Sequence, residues 1–379
     1  MQNKKLRNLF FFHGKMDMPF FVLTMTLLVF GLIMLFSASY ANAYYYEDNS
    51  YYFIIRQMIF AVLGVIGMLI ISYTNYKIFF RFAIPIWLVS LALLLVTYFM
   101  PASNGARRWI YIGRLFSFQP SEIAKFALII VFARLICISG DKMKKFSVGV
   151  VPFLIVMGSI ALLMIFQPHM SGTILVGSIG LTMMFIGGTR ILHLALLGGT
   201  AASGLVAAVI ILPDTFAHVI RRLDYWLNPW LDPADKGYQS IQSLLAIGSG
   251  GVMGVGLGES RQKYLYLPEV QNDFIFPIIA EELGFIGASM VIILFALLIW
   301  RGFYIAMKTK DKFGSMIVIG ISTQIGLQAF LNIAVVTNTV PNTGISLPFF
   351  SYGGTALVMM LAQIGVLLSV SRQSNYNKE

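Results

Sequence analysis

Ten long apolar runs alternate with polar connections from residue 18 to near the carboxyl end of the chain. They begin near Met18, Ile54, Arg81, Pro120, Ser147, Met170, Ile191, Phe274, Gly314 and Ser351. A helix needs roughly 20 mainly apolar residues to cross a bilayer, and in hydrocarbon only a segment that satisfies its own backbone hydrogen bonds is stable. The pattern predicts an all-α polytopic membrane protein of about ten transmembrane helices. Its widest polar interval, about 213–273, falls between the seventh and eighth runs and predicts one large extracytoplasmic loop. The expected layout is a segment 1–17, a membrane domain 18–371 and a tail 372–379. The first run is too long for a signal-peptide core and lacks a small-residue cleavage pattern, so it reads as a retained span.

Composition supports this class and adds an orientation. Hydrophobic residues make up 58% of the chain, charged residues 11%, and mean hydropathy is +0.80, a balance that a wetted globule does not reach. Short cytoplasmic connections hold the excess of Lys and Arg. With both termini cytoplasmic, the inner face receives seventeen of the 27 basic residues, among them Lys15, Lys77, Lys142, Lys144, Lys145, Lys308 and Lys312. The other ten include Arg56, Arg107, Arg108, Lys125, Arg221, Arg222, Arg261 and Lys263. Most of these fall in two outer intervals, and that local break of the charge rule predicts an anionic ligand. The net charge of +11 reads as topology, since anionic headgroups attract juxtamembrane cations. Membrane lipids are expected partners and nucleic acid is not. One cysteine, Cys137, excludes an intrachain disulfide, and four dispersed histidines lack zinc spacing. No phosphate-binding loop, dinucleotide fingerprint or G-x-S-x-G elbow occurs.

Two stretches carry chemistry. In Arg261–Gly284 a polar loop runs directly into an apolar helix and places Asp273 at a membrane boundary, an expensive position for a charge. Locally, Asp273 also reads as a helix cap, with Pro277 in the first turn. In Gly105–Arg134, Pro120 opens a span, Ser121 follows, and Glu122 and Lys125 share one helical face at a spacing of three. That pair is either an intrahelical ion pair or part of a site. Arg107, Arg108 and Trp109 just before it supply two guanidiniums and an aromatic plane, suited to a phosphate and a sugar face. Between the stretches, the glycines from Gly248 to Gly258 read either as a flexible connector or as close backbone approach. Trp226, Trp230, Tyr225 and Tyr238 read as interfacial anchors.

Taken in order, GARRW, FQPSEIAK, LNPWLDP with GYQSIQSL, GLGESRQKYLYLPEVQNDFIF, EELGFIG and PNTGISLPFFSYGG resemble the SEDS family. These are the polytopic peptidoglycan polymerases of shape, elongation, division and sporulation, which include FtsW and RodA. The resemblance runs from about Met18 to Arg372, nearer the division and sporulation branch. Asn272 departs from it, since relatives usually carry Thr. The resemblance implies a glycosyltransferase that joins lipid II units at the outer face of the cytoplasmic membrane, with the strand held on undecaprenyl diphosphate. Asp273 matches the family's essential aspartate and is implied to be the general base on the acceptor 4-hydroxyl. Arg107, Arg108, Lys125, Arg56 or a divalent metal ion, Mg or Mn, are the candidates to stabilise the leaving diphosphate. Ser121, Glu122, Trp109, Lys263 and Glu269 complete the implied substrate contacts, and Lys125 is expected to pair with Asp273 at rest. The implied partners are a class B penicillin-binding protein transpeptidase and other divisome proteins.

Two other classes of function remain at this point. A lipid II transporter predicts polar residues through the midplane, and Gln324, Gln328 and Asn332 share one helical face; these read instead as interhelical hydrogen bonding. A non-catalytic scaffold predicts that Asp273 is dispensable.

Overall fold

The computed structural model describes residues 14–101, 107–112, 116–211 and 223–374; Arg114, Arg221 and Arg222 lie outside them. Its helices start within a few residues of the ten apolar runs: α1 (Met18–Glu47), α2 (Tyr52–Ser72), α3 (Ile78–Val96), α4 (Pro120–Ser139), α5 (Val151–Phe166), α6 (Met170–Gly187), α7 (Ile191–Ile211), α8 (Tyr238–Ser249), α9 (Ile275–Lys308), α10 (Lys312–Val336) and α11 (Gly354–Gln373). Among the described residues, nine helical segments are long and apolar enough to cross a bilayer, and α7 is the apolar helix at the remaining predicted position. The chain is a multi-pass membrane protein. Within the large loop lies α8, an amphipathic helix where the sequence predicts a short helical stretch, residues 240–247. A two-stranded hairpin, β1 (Ile110–Ile112) and β2 (Phe116–Phe118), pairs antiparallel with Tyr111 opposite Ser117.

Helices α4, α10 and α11 form the middle of the bundle, where α10 packs on α4, α6, α9 and α11. Their small and β-branched residues, such as Ala124, Ala127, Ile317 and Ile321, are fully buried. Helices α2 and α3 turn Val62, Leu63, Leu88 and Val89 outward, the arrangement expected where the surrounding solvent is lipid.

Helix α9 is broken at Gly284, whose φ of 65° and ψ of −166° are not helical. The break is filled by the glycine run. Val255 and Gly256 donate their backbone N–H groups to the carbonyls of Glu281 and Glu282 (both 3.0 Å), and Phe285 donates to Gly251 O (2.9 Å). Both sides need glycine, because a Cβ on Gly284 would stand 2.3 Å from Gly254 N, and one on Gly254 would stand 2.1 Å from Glu282 O. Gly254 also has a positive φ of 81°. Close backbone approach, and not a flexible connector, explains this run.

Beside the break, two acids anchor the outer loop. Glu281 accepts from the Ser260 hydroxyl and from Arg261 N (3.0 Å). Glu282 accepts from Ser37 Oγ of α1 and forms a 2.8 Å ion pair with Lys263, both side chains having no solvent exposure. Lys263 further donates to Gly258 O (2.5 Å) and lies 4.9 Å from the Tyr40 ring. A buried pair stripped of one partner leaves an uncompensated charge, at a cost of about 3–5 kcal/mol. Glu282→Gln is therefore expected to lower thermal stability by that order, whereas the double replacement Glu282→Leu with Lys263→Met recovers much of it. Unfolding in detergent, followed by intrinsic fluorescence, checks this; equal losses in single and double variants would contradict the pairing.

Candidate active site

A cavity of about 860 Å³ opens where the 269–273 loop meets α2, α4, the start of α6, α10 and the segment 344–357. Its wall carries Arg56, Arg108, Trp109, Ser121, Glu122, Lys125, Glu269, Asn272 and Asp273 together. Residues 150 positions apart in the chain thus share one space, and mixed charge in a largely apolar enclosure is a common form of ligand site.

Asp273 is held from its backbone. Asn332 of α10 donates through Nδ2 to Asp273 O and to Ile345 O, both at 2.7 Å, so one buried amide joins the acidic loop to the segment behind it. Gln271 O accepts from Tyr352 N (2.7 Å). Gln57 of α2 donates to Ser351 O and accepts from Gly353 N, both at 3.2 Å. Gly344, at φ +66°, brings the chain close enough that a Cβ there would stand 3.4 Å from Asp273 Oδ2. The side chain of Asp273 does not cap α9, whose N-cap is Phe274 with no side-chain hydrogen bond.

Burial raises the Asp273 carboxyl to about 7; a backbone hydrogen bond opposes this, and the charge of Glu269 adds to it. Glu269 itself accepts from Asn272 Nδ2 (2.5 Å), so Asn272 fixes the neighbouring acid.

The family model for cell cycle proteins, covering FtsW, RodA and SpoVE, matches residues 18–376. The chain belongs to this SEDS family. It is 43% identical to stage V sporulation protein E of Bacillus subtilis (strain 168) over 364 residues, covering 95% of this chain and 98% of that one. It is 38% identical to a probable peptidoglycan glycosyltransferase FtsW of Geobacter sp. (strain M18), covering 94% and 96% respectively. Its fold matches a chain in a structure describing coordination of polymerization and crosslinking by a peptidoglycan synthase complex, with a TM-score of 0.80 at 26% identity, covering 94% of this chain and 98% of that one. Thermus thermophilus RodA shares the fold, with a TM-score of 0.68 at 24% identity over 95% and 97% of the two chains.

Within the SEDS fold three sequence expectations need correction. Lys125 does not pair with Asp273; its Nζ lies 2.8 Å from Glu122 Oε1. One helical turn separates these two residues, and on a buried face the intrahelical partner is the nearer way to compensate the charge. Arg107 does not line the cavity; it is exposed and donates to Tyr98 O (2.7 Å), while Arg108 beside it does line the cavity. Lys263 is not a cavity residue either, because Glu282 holds it inside the fold. Arg56 stays in the wall with its guanidinium 4.1 Å over the Tyr52 ring.

The sequence reading missed Gln119, His169, Gln239 and Gly344, all in the cavity wall. For Gly344 the motif PNTGISLPFFSYGG was itself a signal. For His169 nothing in the spacing pointed to the site.

Because burial dominates its environment, Asp273 is expected to ionise as pH rises through about 7, with the carboxylate form above it. Glu269→Gln removes a repulsive charge and lowers the midpoint. Infrared titration of the carboxyl stretch, with Asp273→Asn as the reference, measures both; a midpoint near the ordinary Asp value of about 4 would contradict this environment.

Proposed function

We propose that this SEDS protein is a peptidoglycan glycosyltransferase that polymerises lipid II, with Asp273 as its general base. The observation that carries the role of Asp273 is its place in the same cavity as Arg108 and Lys125, where burial raises its carboxyl toward neutrality. A base works best when its pKa lies near the operating pH, and burial supplies that value here. In the proposed step Asp273 takes the proton of the acceptor sugar's 4-hydroxyl, the oxygen forms a bond to the donor's anomeric carbon, and the bond from that carbon to the lipid diphosphate breaks. The electron pair leaves on the diphosphate, where Arg108 and Lys125 offset the developing charge. Trp109 offers a sugar platform, and Ser121, Glu122 and Glu269 are the remaining proposed contacts.

Among the described residues no three His, Cys, Asp or Glu side chains are grouped to hold a metal ion. Mg or Mn would enter with the substrate's diphosphate, a mode that needs only one or two protein carboxylates. A transporter reading is not favoured, because Asn332 of the α10 polar row is committed to the backbone of Asp273 and Ile345. A scaffold reading leaves the buried acid and the charged residues grouped around it without a purpose.

We place the cavity on the outer side of the cytoplasmic membrane, on the support of the seventeen-to-ten partition of basic residues. A class B penicillin-binding protein transpeptidase is the proposed partner, supported by the likeness to a chain of a polymerising and crosslinking complex.

Asp273→Asn is expected to reduce glycan polymerisation by purified protein with lipid II by about 10²–10⁴-fold, the usual contribution of a general base, while leaving the fold intact. Arg108→Ala and Lys125→Ala are each expected to cost about 10²-fold, and Lys308→Ala nothing. Gel analysis of labelled glycan checks all four. Wild-type rates for Asp273→Asn would remove the base, and equal losses including Lys308→Ala would point to destabilisation.

Sidedness has its own measurement. With Cys137→Ser as background, a cysteine replacing Tyr238 is expected to react with an impermeant thiol reagent in intact cells, and cysteines replacing Lys144 or Lys308 only after permeabilisation. Labelling at 144 in intact cells would invert the orientation.

A further inference from the structure

His169 belongs to the cavity wall yet has no part in the step above. It directly precedes α6 and is only 8% exposed. Its Nε2 lies 3.4 Å from Gln119 Nε2. An amide nitrogen only donates, so Nε2 accepts and the proton of a neutral ring sits on Nδ1. Burial first, then the charges of Arg108 and Lys125, push the ring down to about 3 and keep it neutral. The buried Nδ1 has no hydrogen-bond partner within the protein.

The surroundings of Nδ1 are built from donors. Gly172 and Ser171, in the first turn of α6, line the cavity beside it, and a Cβ on Gly172 would stand 3.0 Å from Nδ1 and 2.8 Å from Cε1. The same point lies 2.2 Å from Met164 Cε, so the missing side chain lets the ring and the buried Met164 methyl pack against the first turn of α6. The leading backbone N–H groups of a helix have no acceptor inside it, and no side chain caps this one. The 18-residue α6 adds the positive end of its dipole. The Arg108 guanidinium donates to Pro168 O one residue before His169, fixing a cation at the same place. A ligand that brings only acceptors and negative charge satisfies this set; a cation does not.

We propose that the amino end of α6, residues 169–172, is an oxyanion subsite that holds one phosphate of a lipid-linked diphosphate, with His169 Nδ1–H as its side-chain donor. The proposal rests on the transferase reading of the cavity and deepens it by placing the diphosphate at α6, within the same cavity as Asp273.

The test uses the full chain in nanodiscs, with farnesyl diphosphate as the probe and farnesol as the control. His169→Leu is expected to weaken farnesyl diphosphate binding about tenfold, the loss of one hydrogen bond to a charged group, and to leave farnesol binding unchanged. His169→Asn, which restores an N–H near the Nδ1 position, is expected to recover most of the loss. Gly172→Ala keeps the imidazole, but its methyl would meet Met164 Cε at 2.2 Å and the ring at 2.8–3.0 Å and so displace Nδ1; it is expected to weaken the diphosphate alone, and it serves as the test if His169→Leu does not fold. Diphosphate binding unchanged in both His169→Leu and Gly172→Ala, or farnesol lost in parallel, would overturn the subsite. Two lipid diphosphates meet in polymerisation, and lipid II turnover separates them. Shorter glycan products in the variants assign the subsite to the growing strand; a higher KM for lipid II at unchanged product length assigns it to the incoming unit. Probe binding requires no turnover. A chain that binds the probe through His169 but never polymerises keeps the subsite and loses the transferase reading, whereas a polymerising chain whose variants bind alike does the reverse.

Discussion

The enclosed contact between Glu282 and Lys263 is the constraint on which the rest of the outer architecture depends. It lies at the break in α9, and with Ser37 and Glu281 it ties together α1, α9 and the stretch 258–263. Charges withdrawn from water are stable only when fully paired and hydrogen-bonded. The chain from 258 to 263 has therefore one permitted seat, and the loop carrying Asp273 starts from a fixed point. Its far end is fixed equally firmly by α9 itself, entered at Ile275. The loop acid proposed as the base is placed here with the precision normally given by a helix or strand.

The second consequence is a division of labour among polar side chains. Lys263 and Asn332 hold backbone; Glu122, Lys125, Arg108 and Asp273 face the cavity. Asn332 bonds two carbonyls at once, which brings the 344–353 segment against the acid without placing a competing charge near it. A neutral amide is suited to that role, because a cation at the same point would favour the carboxylate and pull its pKa down.

Much of this was legible in the sequence and some was not, for identifiable reasons. All ten helix positions follow from the length of apolar runs, since the bilayer sets one dimension for every span. Asp273, Arg108, Trp109 and Lys125 were legible as polar residues standing at span ends, where burial demands a reason. The roles of Arg107 and Lys263 were not legible. Arg107 and Arg108 are adjacent and identical in type, yet only the second lines the cavity, and Lys263 finds its acid 19 residues later, across a helix break that no periodicity announces. His169 was hidden for a related reason, because Gln119 and Arg108, which complete its setting, lie about 50 to 60 positions earlier in the chain.

The Glu122–Lys125 pair, expected as one of two alternatives, also bears on how Asp273 works. Had Lys125 paired with Asp273, a cation at contact distance would have favoured the ionised acid and driven its pKa well below the ordinary range. Such a carboxylate is always ionised and is a weak base. With Lys125 engaged by Glu122 at 2.8 Å, burial dominates at Asp273 and Glu269 adds to it, so the acid titrates near 7 and holds a proton more strongly once it has taken one. Lys125 still lines the cavity, where it is the proposed contact for an anionic ligand. One carboxylate thus occupies a cation that would otherwise favour ionisation of the other, and the proposed base at Asp273 is compatible with the proposed anion contacts in the same cavity.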